Sequence, residues 1–136
     1  MKRIDFDSNN HAVFKLVYHL VLIVKYRRKV INEPIQNLIV KTFQKYAQKN
    51  GICLEEANGE EDHIHFMFRT PPNMDLSVFI NVVKTQSSRV IRKKYWNDIK
   101  TKLWKDKFWS QSYILLTCGG APIEVLRGYI EDQGKK

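Results

Sequence analysis

Apolar residues crowd the stretch from Val13 to Val24 over a span too short for an exposed helix, which predicts a strand buried on both faces and central in its sheet. Asn32-Glu33-Pro34 then offers a capping residue and an early proline. Behind it Ile35, Leu38, Ile39, Thr42, Phe43, Tyr46 and Ala47 recur at helical spacing until Asn50-Gly51 stops the run. Ile52 to Ala57 and Asp62 to Thr70 flank Asn58-Gly59, a dipeptide suited to a tight hairpin turn, and Pro71-Pro72 ends the second arm. Asp75 can cap a second helix, with Leu76, Phe79, Ile80, Val83, Ser87, Val90 and Ile91 as its packing stripe and Lys84, Ser88 and Arg92 on a neighbouring polar face. From Lys93 to Lys107, Tyr95, Trp96 and Trp104 mix irregularly with lysines, which predicts a loop containing a short helix. Ser112 to Cys118 reads as another strand. Gly119-Gly120 breaks the chain, and Pro122 opens a last helix packed through Ile123, Leu126 and Ile130.

The order β, α, β, β, α, β, α is an α+β arrangement: a ferredoxin-like (RRM-like) split βαβ antiparallel sheet with an added C-terminal helix. Both long helices should cover one sheet face. The other face is left for the last helix and a ligand. At 136 residues the chain is expected to form one domain over 1–136, with residues 1–10 flexible.

Charge narrows the partners. The chain has 23 Lys and Arg against 14 Asp and Glu, a net charge of +9. Five of the acids, Glu55, Glu56, Glu60, Glu61 and Asp62, share one segment without a basic residue, so the remainder carries 9 + 5 = +14. Such an excess favours polyanions, because each phosphate neutralised releases condensed counterions. Cys53 and Cys118 lack a CxxC spacing and read as buried reduced thiols. No apolar run approaches the roughly 20 residues of a membrane span, and the expected location is cytoplasmic.

The chemistry concentrates in His63-Ile64-His65. Strand alternation puts both imidazoles on one face and Ile64, Phe66 and Phe68 on the other, so one face can hold a metal while the other is buried. Taken alone, such a pair reads more readily as incidental or structural. Tyr129 and Gln133, four residues apart, share a face of the last helix and offer a nucleophile beside a third ligand. Two imidazoles and an amide oxygen suit Mg²⁺ or Mn²⁺, with Zn²⁺ as competitor. Asp62 reads either as an orienting partner for an imidazole or as the acidic end of a hairpin, and His19 as a satisfied core histidine. Lys25, Arg27, Arg28, Lys29, Lys84, Arg89 and Arg92 are candidates to track phosphates, and Tyr26, Trp96 or Trp104 to stack unpaired bases.

These residues, with Tyr18-His19-Leu20-Val21, Lys25-Tyr26-Arg27-Arg28-Lys29, Asp62-His63-Ile64-His65, Lys84-Thr85-Gln86-Ser87-Ser88-Arg89, Phe108-Trp109-Ser110-Gln111-Ser112-Tyr113 and Tyr129-Ile130-Glu131-Asp132-Gln133, resemble the single-tyrosine, His-hydrophobe-His transposases of the IS200/IS605 family. The resemblance implies that Tyr129 is the nucleophile and that His63, His65 and Gln133 ligate the metal. It implies cleavage and rejoining of single-stranded DNA at insertion-sequence ends through a 5′-phosphotyrosine, recognition of DNA hairpins, a homodimer, and no nucleotide cofactor. The alternative is a non-catalytic or regulatory single-strand-binding protein of the same fold.

Overall fold

The computed structural model describes residues 7–8, 13–14 and 16–117. Cys118, the Gly119-Gly120 break, Tyr129 and Gln133 lie outside the described residues. Two short strands, β1 (Asp7–Ser8) and β2 (Val13–Phe14), pair with each other. The main sheet contains β3 (Val17–Val24), β4 (Cys53–Glu60), β5 (His63–Arg69) and β6 (Trp109–Thr117), all antiparallel in the order β4-β5-β3-β6. Helices α1 (Glu33–Lys49) and α2 (Leu76–Ile99) complete an α+β fold. The apolar run expected as one strand from Val13 is divided. Val13–Phe14 pairs with β1, and the central strand begins at Val17.

Alternation explains the layering. Leu20, Leu22 and Val24 of β3 and Ile64, Phe66 and Phe68 of β5 point to the helix side and join Ile35, Ile39 and Phe43 of α1 and Phe79, Ile80, Val83 and Ile91 of α2 in one buried core. Phe43 is its hub, with its ring 4.4 Å from that of Phe66, 5.3 Å from Phe68 and 5.2 Å from Phe79. On the opposite face Val21, Ile23 and Ile114 are also buried. The central strand is thus apolar on both sides, which accounts for its unbroken hydrophobic reading.

The helix starts follow local chemistry. The Asn32 side chain accepts from Ile35 N at 3.0 Å, and that of Asp75 from Val78 N at 3.2 Å. Gly51, at φ +68°, supplies the left-handed residue after α1. Elsewhere tertiary context overrides the local signal. Asn58-Gly59 is not the hairpin turn: both residues lie inside β4, opposite His65 and Ile64, and the turn is Glu61-Asp62. That turn is held from outside, because Val30 N and Ile31 N donate to Glu61 O, and Val24 N to Asp62 O, at 2.8–3.0 Å. Gly59 is needed for space, since a Cβ there would meet His63 O at 2.4 Å. The second helix also runs past Lys93 to Ile99, because Tyr95, Trp96 and Ile99 extend its packing stripe into the same core. Cys53, expected to be buried, is exposed on the edge strand β4.

Candidate active site

On the face away from α1 and α2, the register sets Ile23 opposite His63, Val21 opposite His65 and His19 opposite Met67. Three imidazoles therefore share that face across two neighbouring strands. His63 sits at the first position of β5, directly after the turn, and the turn residue Asp62 reaches it. Asp62 Oδ1 lies 2.9 Å from His63 Nδ1, and Asp62 Oδ2 accepts from Arg27 Nε at 2.8 Å. Burial alone would raise the Asp62 carboxyl, but the hydrogen bonds and charges of His63 and Arg27 prevail and hold it below the ordinary carboxylate range. An ionised carboxylate can only accept, so His63 must carry its proton on Nδ1. In the neutral ring Nε2 is then the nitrogen with the lone pair, as in the carboxylate-histidine arrangement of metal sites.

His65 is tied differently. Its Nε2 lies 2.8 Å from His19 Nδ1, and the two rings stack at 5.0 Å and 11°. Burial, and then the neighbouring charge of His19, push the His65 imidazole below the usual histidine range. One proton serves both nitrogens. Where His65 donates it, His65 Nδ1 is bare and able to ligate; where His19 donates, the proton of a neutral His65 resides on Nδ1.

Glu60, Asp62 and His63 form a further grouping, with one ligand atom from each lying within 4.8 Å of one another. One imidazole and two carboxylates fit a hard divalent cation such as Mg²⁺ or Mn²⁺. In the sequence Glu60 counts only as one of the hairpin acids; in the structure it joins this group as a possible oxygen donor. The available signal was its place in Glu60-Glu61-Asp62, immediately before the His pair.

The predicted basic residues divide into groups. Lys25, Tyr26 and Arg27 form a 3-10 turn after β3, with Tyr26 and Arg27 both at positive φ, and Arg27 turned toward Asp62. Arg28 and Lys29 follow it, exposed, as are Arg89 and Arg92 on α2. Lys84 is half-buried and donates to Ser110 O at 2.8 Å and Gln111 O at 3.2 Å. Burial, followed by the charge of Lys25, lowers its ammonium pKa from the ordinary lysine value.

Comparison with known proteins bears directly on this arrangement. A family model described as IS200-like transposase matches residues 12–133. The chain belongs to that family. This IS200-like transposase is 29% identical over 133 residues to the ISDra2 transposase TnpA of Deinococcus radiodurans, covering 98% of this chain and 94% of the relative. It is 28% identical over 129 residues to the transposase of insertion sequence IS200 from Salmonella typhimurium, covering 95% and 84%. A crystal structure of a candidate transposase from Deinococcus radiodurans shares the fold at TM-score 0.82 and 24% identity, over 93% of this chain and 97% of that one. A REP-associated tyrosine transposase bound to a REP hairpin shares it at TM-score 0.59 and 11% identity, over 92% and 68%. Among the described residues, no helix of this IS200-like transposase is long and apolar enough to cross a membrane.

Proposed function

We propose that this transposase cleaves and rejoins single-stranded DNA at insertion-sequence ends, with Tyr129 as nucleophile and a divalent cation, Mg²⁺ or Mn²⁺, held by His63, His65 and Gln133. The observation that carries the reading is the Arg27-Asp62-His63 relay, which leaves a bare imidazole nitrogen on the sheet face where His65 also stands. When bound, the cation would act as a Lewis acid on the scissile phosphate. His65 can join through Nδ1 while keeping its bond to His19, or through Nε2 once that bond is released.

Tyr129 Oη attacks phosphorus, the P–O3′ bond breaks, and a proton passes to the departing 3′-oxygen, leaving a 5′-phosphotyrosine and a free 3′-hydroxyl. A second 3′-hydroxyl reverses the step and rejoins the strands, so no nucleotide cofactor is consumed. The phenol, with an ordinary pKa of about 10, must lose its proton on attack. The basic surface of α2 and of the turn after β3 would hold the strand, including the hairpin that marks an element's end. The homodimer is carried over from the family resemblance. Its test is restoration of cleavage on mixing His63→Ala and Tyr129→Phe chains, which succeeds only where the tyrosine of one subunit serves the partner's His pair.

The experiment that tests the function is incubation with hairpin-bearing single-stranded DNA and Mg²⁺, followed by denaturing electrophoresis. A covalent protein–DNA band is expected, lost in Tyr129→Phe and in chelator. Binding without a band, across several end sequences, would instead establish a non-catalytic single-strand-binding protein.

A further inference from the structure

Lys84, Ser88 and Arg92, one turn apart along α2, face the segment 105–109 across a cavity of about 320 Å³. Lys105 and Lys107 enter from the other side, so four cations stand against a single carboxylate, that of Asp106. The volume falls within the range of roughly 300–1,000 Å³ typical of small-ligand pockets. The Lys84 ammonium donates to the carbonyls of Ser110 and Gln111 and lies 5.6 Å over the Tyr113 ring, so it contributes its charge to the cavity from a fixed position. Trp109 borders the cavity, and its Nε1 donates to the buried Ser87 Oγ at 3.0 Å, which fixes the ring against α2.

Beside this cavity two unusual turns meet. Lys105 and Asp106 have φ of 47° and 63°, and Tyr26 and Arg27 have φ of 57° and 53°. L-residues rarely adopt this conformation unless the surroundings impose it. The turns touch through their aromatic rings. Tyr26, 47% exposed, meets Trp104 edge to face at 5.1 Å, and the Lys105 ammonium lies 4.7 Å over the Trp104 ring. Lys105 thus belongs to both the cavity and the aromatic corner. The first turn is anchored to the second segment by Lys25 N donating to Phe108 O at 2.9 Å.

We infer that this cavity is a socket for one backbone phosphate of an unpaired DNA strand, and that Tyr26 with Trp104 forms the stacking corner for the adjoining base. The inference rests on the proposed handling of single-stranded DNA, and it adds a specific holding point on the strand's path. Cations from two elements surround the phosphate, and beside it stands the exposed Tyr26 ring, with the Lys25 ammonium 5.1 Å over it, where a base would stack by displacing that ammonium, which suits sequence-tolerant capture of single strands. The turn bearing Tyr26 also carries Arg27, so the corner adjoins the relay to His63.

The test uses the full chain in chelator, with fluorescence anisotropy on a labelled single strand, the same strand made abasic, and a blunt duplex of equal length. The triple variant Arg92→Gln, Lys105→Gln, Lys107→Gln should flatten the slope of log affinity against log salt by about 0.7, the value for one single-strand phosphate. Tyr26→Asn removes the ring while tolerating positive φ, and should weaken single-strand binding about 5- to 150-fold, with no loss on the abasic strand. Independently of any variant, the wild type should bind the abasic strand more weakly than the complete one. Wild type that fails to bind single strands would overturn both the proposed function and this socket. Wild type that binds, with an unchanged slope in the triple variant or an equal loss on blunt duplex, would overturn the socket alone.

Discussion

Replacing Gly59 with alanine tests how the histidine hairpin is built. Gly59 lies in β4 opposite Ile64, and a Cβ at that position would stand 2.4 Å from His63 O and 2.8 Å from Ile64 Cα. Ordinary Cβ contacts begin near 3.4 Å, so β4 and β5 must separate locally by roughly 1 Å (3.4 − 2.4). Both obstructing atoms are backbone, which cannot swing aside as a side chain would. Were the space open, alanine for glycine within a strand would stabilise by roughly 0.5–1 kcal/mol. Overpacking of this kind instead costs about 1–3 kcal/mol, so the sign of the change discriminates between the two cases. Thermal unfolding should show a lower midpoint, by roughly 2–8 °C for each kcal/mol. Because the displaced residue is His63 itself, cleavage should fall further than stability does, by up to about 100-fold for a 1 Å error in placement. Asn58→Ala, one position away, exposed and paired opposite His65, is the control for stability alone. A Gly59→Ala protein with an equal or higher midpoint and full cleavage would refute the reasoning.

Asp62→Asn should weaken Mn²⁺ binding by about 10- to 100-fold in titration calorimetry, because His63 loses its anionic partner; unchanged affinity would remove the relay from the site. Ser87→Ala should cost about 1–3 kcal/mol in urea unfolding by stranding the buried Trp109 N–H, and a neutral result would disprove that dependence. Asn32→Ala should cost about 0.5–2 kcal/mol through loss of the α1 cap, read from the same urea curves. Hydrogen bonds from the Ser77 hydroxyl, then from Val78 N–H, hold the Asp75 carboxyl below its ordinary value of 3.8. Its folded-state pKa is therefore depressed, so its stabilising effect is complete above 3.8 and is lost as pH falls through the lower folded value. Stability followed from pH 5 downward should show less acid dependence in Asp75→Asn than in wild type.

What could be read from the sequence was whatever neighbours in the chain decide. Asn32 and Asp75 cap helices through bonds three residues away, and Phe43 and Phe79 enter the core because 3.6-residue periodicity places them there. The alternation that separates His63 and His65 from Ile64, Phe66 and Phe68 is equally local. What escaped depends on distant partners. Asn58-Gly59 carries a strong turn signal, yet the turn falls at Glu61-Asp62, where three backbone donors from the segment 24–31 meet it. Arg27 reads as one more cation in a basic run, and nothing near it in sequence shows that it faces Asp62, 35 positions away. His19 reads as a satisfied core histidine; it is half-buried, and nothing near it in sequence shows that its partner is His65. Tyr129 and Gln133 were singled out from their spacing and the family resemblance, and they lie outside the described residues.

The bond from Arg27 to Asp62 bears on how far the histidine hairpin is portable. A designer grafting Asp62-His63-Ile64-His65 onto another two-stranded ribbon would carry over the imidazoles without the guanidinium that holds the second oxygen of Asp62 while the first faces His63. Protein engineers treating the His pair as a cassette should therefore move it together with the turn that follows the central strand. The smallest transplantable unit is discontinuous: two chain segments that exchange as a matched set, in the way the parts of a split reporter do.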